Sequence, residues 1–121
     1  MPRRRLAPLA ALALAALALA ATSALAASPK LTGTVGPGFS ITFTQGGKKV
    51  TRLKAGTYTL VIVDKSSSHN FGLDGPSGFA KDFTSVSFKG TKTFTLKLKK
   101  GTYTYYCAPH ESSMFGKFTV S

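Results

Sequence analysis

Acidic side chains are almost missing from this chain. Asp64, Asp74, Asp82 and Glu111 are the only ones, against sixteen Lys and Arg, for a formal net charge of +12 over 121 residues. Such a balance points to acidic partners or an anionic envelope surface. It fits equally well a solvated lysine face that only keeps the protein soluble. Nucleic-acid binding would also explain the charge, but no recognisable module accompanies it, and the chain is expected to be exported. No nucleic-acid partner is expected.

Cysteine is scarcer still, with Cys107 the single one. An internal disulfide is therefore excluded, and a small exported domain without one must be held by packing or a metal. A lone thiol outside the cytoplasm is a liability unless it is buried or ligated. A structural zinc site is a poor fit, because such sites usually carry more thiolates at Cys-x-x-Cys spacing. A Cys/His hydrolase fits no better, since no Asp/Glu pair lies near Cys107 to orient a base. Helical periodicity of useful length is also absent from the residues after the N-terminal segment.

That N-terminal segment has the features of a secretory signal. Arg3, Arg4 and Arg5 precede a Leu/Ala-rich run from Leu6 to about Ala21, and Ala24-Leu25-Ala26 offers a small-x-small cleavage site. Residues 1–26 are therefore expected to be a signal peptide and residues 27–121 the mature domain. The alternative is an uncleaved anchor, because the apolar stretch nearly reaches spanning length. Pro8 and the Ala-x-Ala site favour cleavage. Arg3-Arg4-Arg5-Leu6 is only a weak match to a twin-arginine signal. Cleavage would leave a periplasmic or secreted domain with net charge +9, touching a membrane only if the segment stays attached.

The mature region reads as β throughout. Ser40–Thr44 alternates polar and apolar residues, and Gln45-Gly46-Gly47 supplies a turn before Lys48–Leu53. In Thr57–Val63, Tyr58, Leu60 and Ile62 point one way. Thr91–Leu98 directs Phe94, Leu96 and Leu98 inward. Thr102–Cys107 puts Tyr103, Tyr105 and Cys107 on one face, and Phe115–Val120 turns Phe118 and Val120 inward. Gly75-Pro76-Ser77-Gly78 and Lys89-Gly90 mark turns. Short strands with regular turn signals predict an all-β, Greek-key β-sandwich of one domain.

Metal-binding side chains in the mature region are few: His69, His110, Cys107 and Met114. Three of them fall within eight residues, Cys107-Ala108-Pro109-His110-Glu111-Ser112-Ser113-Met114. A thiolate and two imidazoles in a trigonal set, with a distant thioether, suit an ion that cycles between Cu(I) and Cu(II). Cys107 ends an inward-alternating strand, Pro109 helps turn the chain, and His110 and Met114 can point back from the loop. His69 must arrive from a neighbouring strand end. Taken singly, each residue has a bland reading: a small buried hydrophobe, a loop histidine, a gap-filling methionine. Taken jointly, the sole Cys, both His and the sole internal Met would have to fall into this pattern by chance.

Residues His69 to Val120 resemble the cupredoxin (type 1 blue-copper) family, and within it plastocyanin and amicyanin. The resemblance rests on His69-Asn70, on Gly101-Thr102-Tyr103-Thr104-Tyr105-Tyr106-Cys107-Ala108-Pro109-His110, and on Met114-Phe115-Gly116. It implies one copper ion with His69, Cys107 and His110 as equatorial ligands and Met114 as the axial one. It also implies that Asn70 braces the backbone beside Cys107. Three residues separate His110 from Met114 here, against four in the plastocyanin pattern and two in amicyanin, so the axial distance is the point at which the pattern departs. Tyr103 and Tyr105 read as core aromatics rather than redox relays.

The function this implies is single-electron transfer by a monomer, with no enzyme activity of its own, because four ligands leave no open position for a substrate. The resemblance also implies an apolar patch around the His110 ring edge, with Leu73, Pro109 and Phe115 as candidates beside the Gly36-Pro37-Gly38 turn. Lys81, Lys89 and Lys117 would steer an acidic redox partner to it. The alternative is copper delivery or buffering by the same ligands. A metal-free adhesion or interaction module ranks last.

Overall fold

A computed structural model describes residues 27–121; the expected signal segment, residues 1–26, lies outside the described residues. Ten strands follow one another: β1 (Lys30–Val35), β2 (Ile41–Gln45), β3 (Lys48–Lys49), β4 (Arg52–Leu53), β5 (Gly56–Asp64), β6 (Gly72–Asp74), β7 (Ala80–Asp82), β8 (Gly90–Leu98), β9 (Gly101–Tyr106) and β10 (Phe115–Val120). Two short 3₁₀ turns, Pro76–Gly78 and Ala108–His110, are the only helical pieces among the described residues.

The strands make two five-stranded sheets, ordered β3-β2-β1-β5-β8 and β4-β10-β9-β6-β7. The chain crosses between the sheets repeatedly, as the Greek-key expectation requires. The crossings make β1 and β5 parallel, with Leu31 opposite Leu60, and β10 and β4 parallel. The all-β sandwich predicted from alternation is the observed fold, and the alternation is why. Tyr58, Leu60 and Ile62 are buried on β5, Leu96 and Leu98 on β8, Tyr103 and Tyr105 on β9, and Phe118 and Val120 on β10. Each strand thus gives one side to a shared core.

Aromatic rings dominate that core. Phe43 packs on Phe118 at 4.9 Å between ring centroids and on Tyr105 at 5.4 Å, and Tyr103 stacks on Phe118 at 5.2 Å. Tilted and offset ring pairs of this kind add to the area they bury. Gly33 lets the sheets close: a Cβ there would sit 2.6 Å from the Phe71 ring. Both sheets and their core lie within residues 30–121.

Three strands escaped the sequence reading. β1 alternates Leu31, Gly33 and Val35 inward, but glycine blurs the pattern. β6 and β7 hold three residues each, too few for alternation to register. The expected strand Lys48–Leu53 is split, with β3 pairing to β2 and β4 to β10, because buried Val50 turns the chain from one sheet to the other.

Candidate metal centre

One end of the sandwich gathers the termini of β1, β5 and β9 and the starts of β8 and β10. His69 stands in the loop that follows β5. Cys107 directly follows β9, and His110 closes the 3₁₀ turn that Pro109 helps to start. Met114 immediately precedes β10.

The Cys107–Met114 loop is held by its own backbone. The His110 N–H donates to the Cys107 carbonyl at 3.0 Å, and the Met114 N–H donates to the His110 carbonyl at 2.8 Å. The Cys107 N–H donates to the Met114 carbonyl at 3.0 Å, closing the loop into a ring. With three residues between His110 and Met114, the loop therefore still returns Met114 to the level of Cys107. Met114 is buried there, as are Cys107 and His69, while His110 is half-buried.

Three of the four sequence-predicted residues converge directly. Cys107 Sγ lies 3.6 Å from His69 Nδ1 and 3.6 Å from His110 Nδ1, and the two Nδ1 atoms are 3.1 Å apart. The centre of such a triangle is about 2 Å from each corner, the length of a first-row metal–nitrogen bond. Three lone-pair donors aimed at one point repel one another unless a cation sits between them. A soft thiolate with two imidazoles is the donor set that suits copper. The residues present therefore fit the ion.

Around the triangle lies a polar frame. The Ala108 N–H donates to Asn70 Oδ1 at 2.7 Å, and Asn70 Nδ2 donates to the Thr84 carbonyl at 3.3 Å. Thr84 Oγ1 in turn accepts the Phe71 N–H at 2.9 Å. Asn70 thus ties the His69 loop to the backbone beside Cys107, where the resemblance had placed its role. Asp64 ends β5 beneath this frame and is only 2 % exposed. Its Oδ1 accepts the Ser66 N–H at 3.0 Å, but Oδ2 has no partner. Burial pushes its carboxyl above the usual carboxylate range, opposed in part by the Ser66 N–H and by His69.

Sequence reasoning missed Phe39. This ring follows the Gly36-Pro37-Gly38 turn and packs edge-on against both imidazoles, 5.3 Å from His69 and 5.0 Å from His110, while 71 % exposed. An aromatic placed straight after Gly-Pro-Gly was the available signal, since turns favour small and polar residues. Leu73, expected in the apolar patch, is instead fully buried. It faces the core from β6, a strand too short to have been recognised, so its side was not assigned. Pro109 and Phe115 are exposed as expected.

The tyrosines divide in two. Tyr103 and Tyr105 are buried in the core. The Tyr103 hydroxyl donates to the Lys99 carbonyl at 3.0 Å and accepts its N–H at 2.9 Å, and burial raises the Tyr105 hydroxyl pKa. Tyr106, beside Cys107, faces outward. Its hydroxyl donates to Asp82 at 3.3 Å, and desolvation, with Asp82 and Asp74, pushes its pKa up.

Known proteins carry the same plan. A protein-family model described as copper binding proteins, plastocyanin/azurin family, matches residues 34–121. Among solved structures, a methionine-to-glutamine variant of rusticyanin is 26 % identical with a TM-score of 0.52, covering 76 % of each chain. A tryptophan-to-tyrosine variant of amicyanin in its reduced form is 19 % identical with a TM-score of 0.52, covering 81 % of this chain and 88 % of its own. At that identity the amicyanin likeness is one of fold alone. None of the curated proteins matches the chain.

Proposed function

The chain belongs to the plastocyanin/azurin family of copper-binding proteins, and from that premise we propose that it carries single electrons between redox partners outside the cytoplasm. In this reading His69, Cys107, His110 and Met114 would hold the ion. When bound there, copper would supply a one-electron couple, both of whose states thiolate and imidazole donors suit.

The chain's own residues do the rest. Burial of Cys107, His69 and Met114 keeps water and oxidants from the thiolate. The backbone ring around Cys107–Met114 and the Asn70 brace fix the donors, so that little rearrangement accompanies a change of charge. The observation that carries the proposal is the unequal burial of the three converging donors. Cys107 and His69 are closed off while His110 is only half-buried, which makes it the route for an electron. Exposed Phe39, Pro109 and Phe115 give that end an apolar surface on which a redox protein can dock. A four-ligand site offers no position for a substrate, so we read the chain as a carrier rather than an enzyme.

Export rests on Arg3-Arg4-Arg5, the Leu/Ala run and Ala24-Leu25-Ala26. No helix among the described residues is long and apolar enough to cross a membrane. Copper delivery uses the same donors, and the test is retention. Copper-loaded residues 27–121 are cycled with ascorbate and ferricyanide in the presence of a chelator. An electron carrier completes repeated cycles with its copper retained, whereas loss to the chelator in the reduced state identifies a delivery protein.

A further inference from the structure

Charge is sorted along the long axis of the sandwich. At the metal end, Lys65, Lys89 and Lys92 are matched by Asp64, Asp82 and Glu111, leaving no net charge. Midway, Lys48, Lys49, Lys81 and Lys117 outnumber Asp74. The remaining basic residues lie at the opposite pole. The β4–β5 turn brings Arg52 and Lys54 there. The β8–β9 turn adds Lys97, Lys99 and Lys100, and β1 begins there at Lys30. All of these side chains are exposed, no acid stands among them, and the pole holds +6 of the +9 carried by residues 27–121. A lysine coat serving solubility alone has no reason to collect at one end.

The pole is also held in shape. Buried Tyr58 donates its hydroxyl to the Lys54 carbonyl at 2.6 Å, fixing the β4–β5 turn. Buried Tyr103 bonds both the N–H and the carbonyl of Lys99, fixing the β8–β9 turn. Two adjacent basic turns are therefore presented on rigid backbone, which lowers the ordering cost of binding. The first described strand, β1, also begins toward this pole.

We propose that this basic pole docks on an anionic lipid surface and turns the metal end outward to redox partners. The charge balance of the sequence left an anionic surface and an acidic partner both open; the pole gives the charge a place on the fold and needs no uncleaved N-terminal segment. Lipid is favoured over an acidic protein because the pole is a broad spread of point charges. It has no exposed aromatic or apolar anchor of the kind that protein interfaces centre on. Each basic residue held at an anionic bilayer strengthens binding about fivefold, and salt screens the attraction within a Debye length. The proposal does not depend on which side chains hold copper.

The test uses residues 27–121, with and without copper, sedimented with vesicles of phosphatidylglycerol and phosphatidylcholine or of phosphatidylcholine alone. Two triple variants change net charge equally: Lys54→Glu, Lys99→Glu, Lys100→Glu at the pole, and Lys65→Glu, Lys89→Glu, Lys92→Glu at the metal end. All six side chains are exposed, and an unchanged unfolding midpoint verifies that each variant folds. The expected result is salt-sensitive binding to the phosphatidylglycerol vesicles only. The pole variant should weaken it by about a hundredfold and the metal-end variant by less than about threefold. Equal losses in the two variants would show a net-charge effect and overturn the proposal. Binding to polyglutamate without binding to vesicles would overturn it in favour of an acidic protein partner.

Discussion

Asn70 reaches across from the His69 loop and accepts the Ala108 N–H at 2.7 Å, so one buried amide fixes the separation of the two loops that carry the metal donors. Its other end donates to Thr84, which leaves no slack in the arrangement. Asn70→Ala would orphan the Ala108 N–H and the Thr84 carbonyl together. Leaving such groups unpaired costs about 1–3 kcal/mol, and loss of an outer-shell partner costs about 10–100-fold in metal affinity. Urea unfolding of the metal-free variant and chelator competition for copper measure the two effects separately. A variant with unchanged copper affinity would reduce Asn70 to an ordinary loop residue.

Phe39 should matter to the metal and little to the fold. Its ring touches both imidazoles but is mostly in water, so Phe39→Ala removes contacts of about 0.5–1.5 kcal/mol without leaving a core cavity. The predicted outcome is a midpoint shift of a few degrees at most, with copper loss to chelator several-fold faster because the imidazole faces are uncovered. Stopped-flow chelation at fixed pH reads that rate. An unchanged rate, or a large loss of stability, would contradict the covering role.

Asp64 gives a pH dependence with a definite sign. Burial raises its folded-state pKa above the unfolded value of about 3.9. Between those two values the folded protein binds more protons than the unfolded one, so stability falls as pH rises through the window and is level above it. Asp64→Asn keeps an acceptor for the Ser66 N–H and removes the ionisation. In the metal-free protein, the variant should therefore show a flatter stability–pH curve above about pH 4 and a higher stability than wild type at neutral pH. Denaturant titrations across that range check it. Parallel curves for the two proteins would mean that Asp64 is not the group responsible.

Much of the fold was legible because long strands advertise their faces. Thr57–Val63 and Thr91–Leu98 alternate over enough residues for period two to stand out, and they became the paired strands β5 and β8. β6 and β7 could not be read, and the error over Leu73 follows from that: its side is set by pairing with Tyr105, a contact made only in three dimensions. At the metal centre, residue type and spacing disclosed the donors because a thiolate, two imidazoles and a thioether are rarely placed together otherwise. Phe39 and Asp64 were hidden for the opposite reason. Each comes from an element remote in sequence from the Cys107–Met114 loop; the Gly-Pro-Gly turn before Phe39 marks the ring as unusual without saying what it will face, and Asp64 carries no local mark at all.

Cys107 decides the central claim, since it is the donor that distinguishes a blue-copper centre from adventitious copper on two histidines. The visible absorption spectrum of residues 27–121 after addition of Cu(II), beside that of Cys107→Ser, is the most direct test. The account predicts an intense blue band at one copper per chain, lost in the variant although both imidazoles remain. Absence of that band, or a weak band unaltered by the substitution, would contradict thiolate-bound copper and with it the electron-transfer reading.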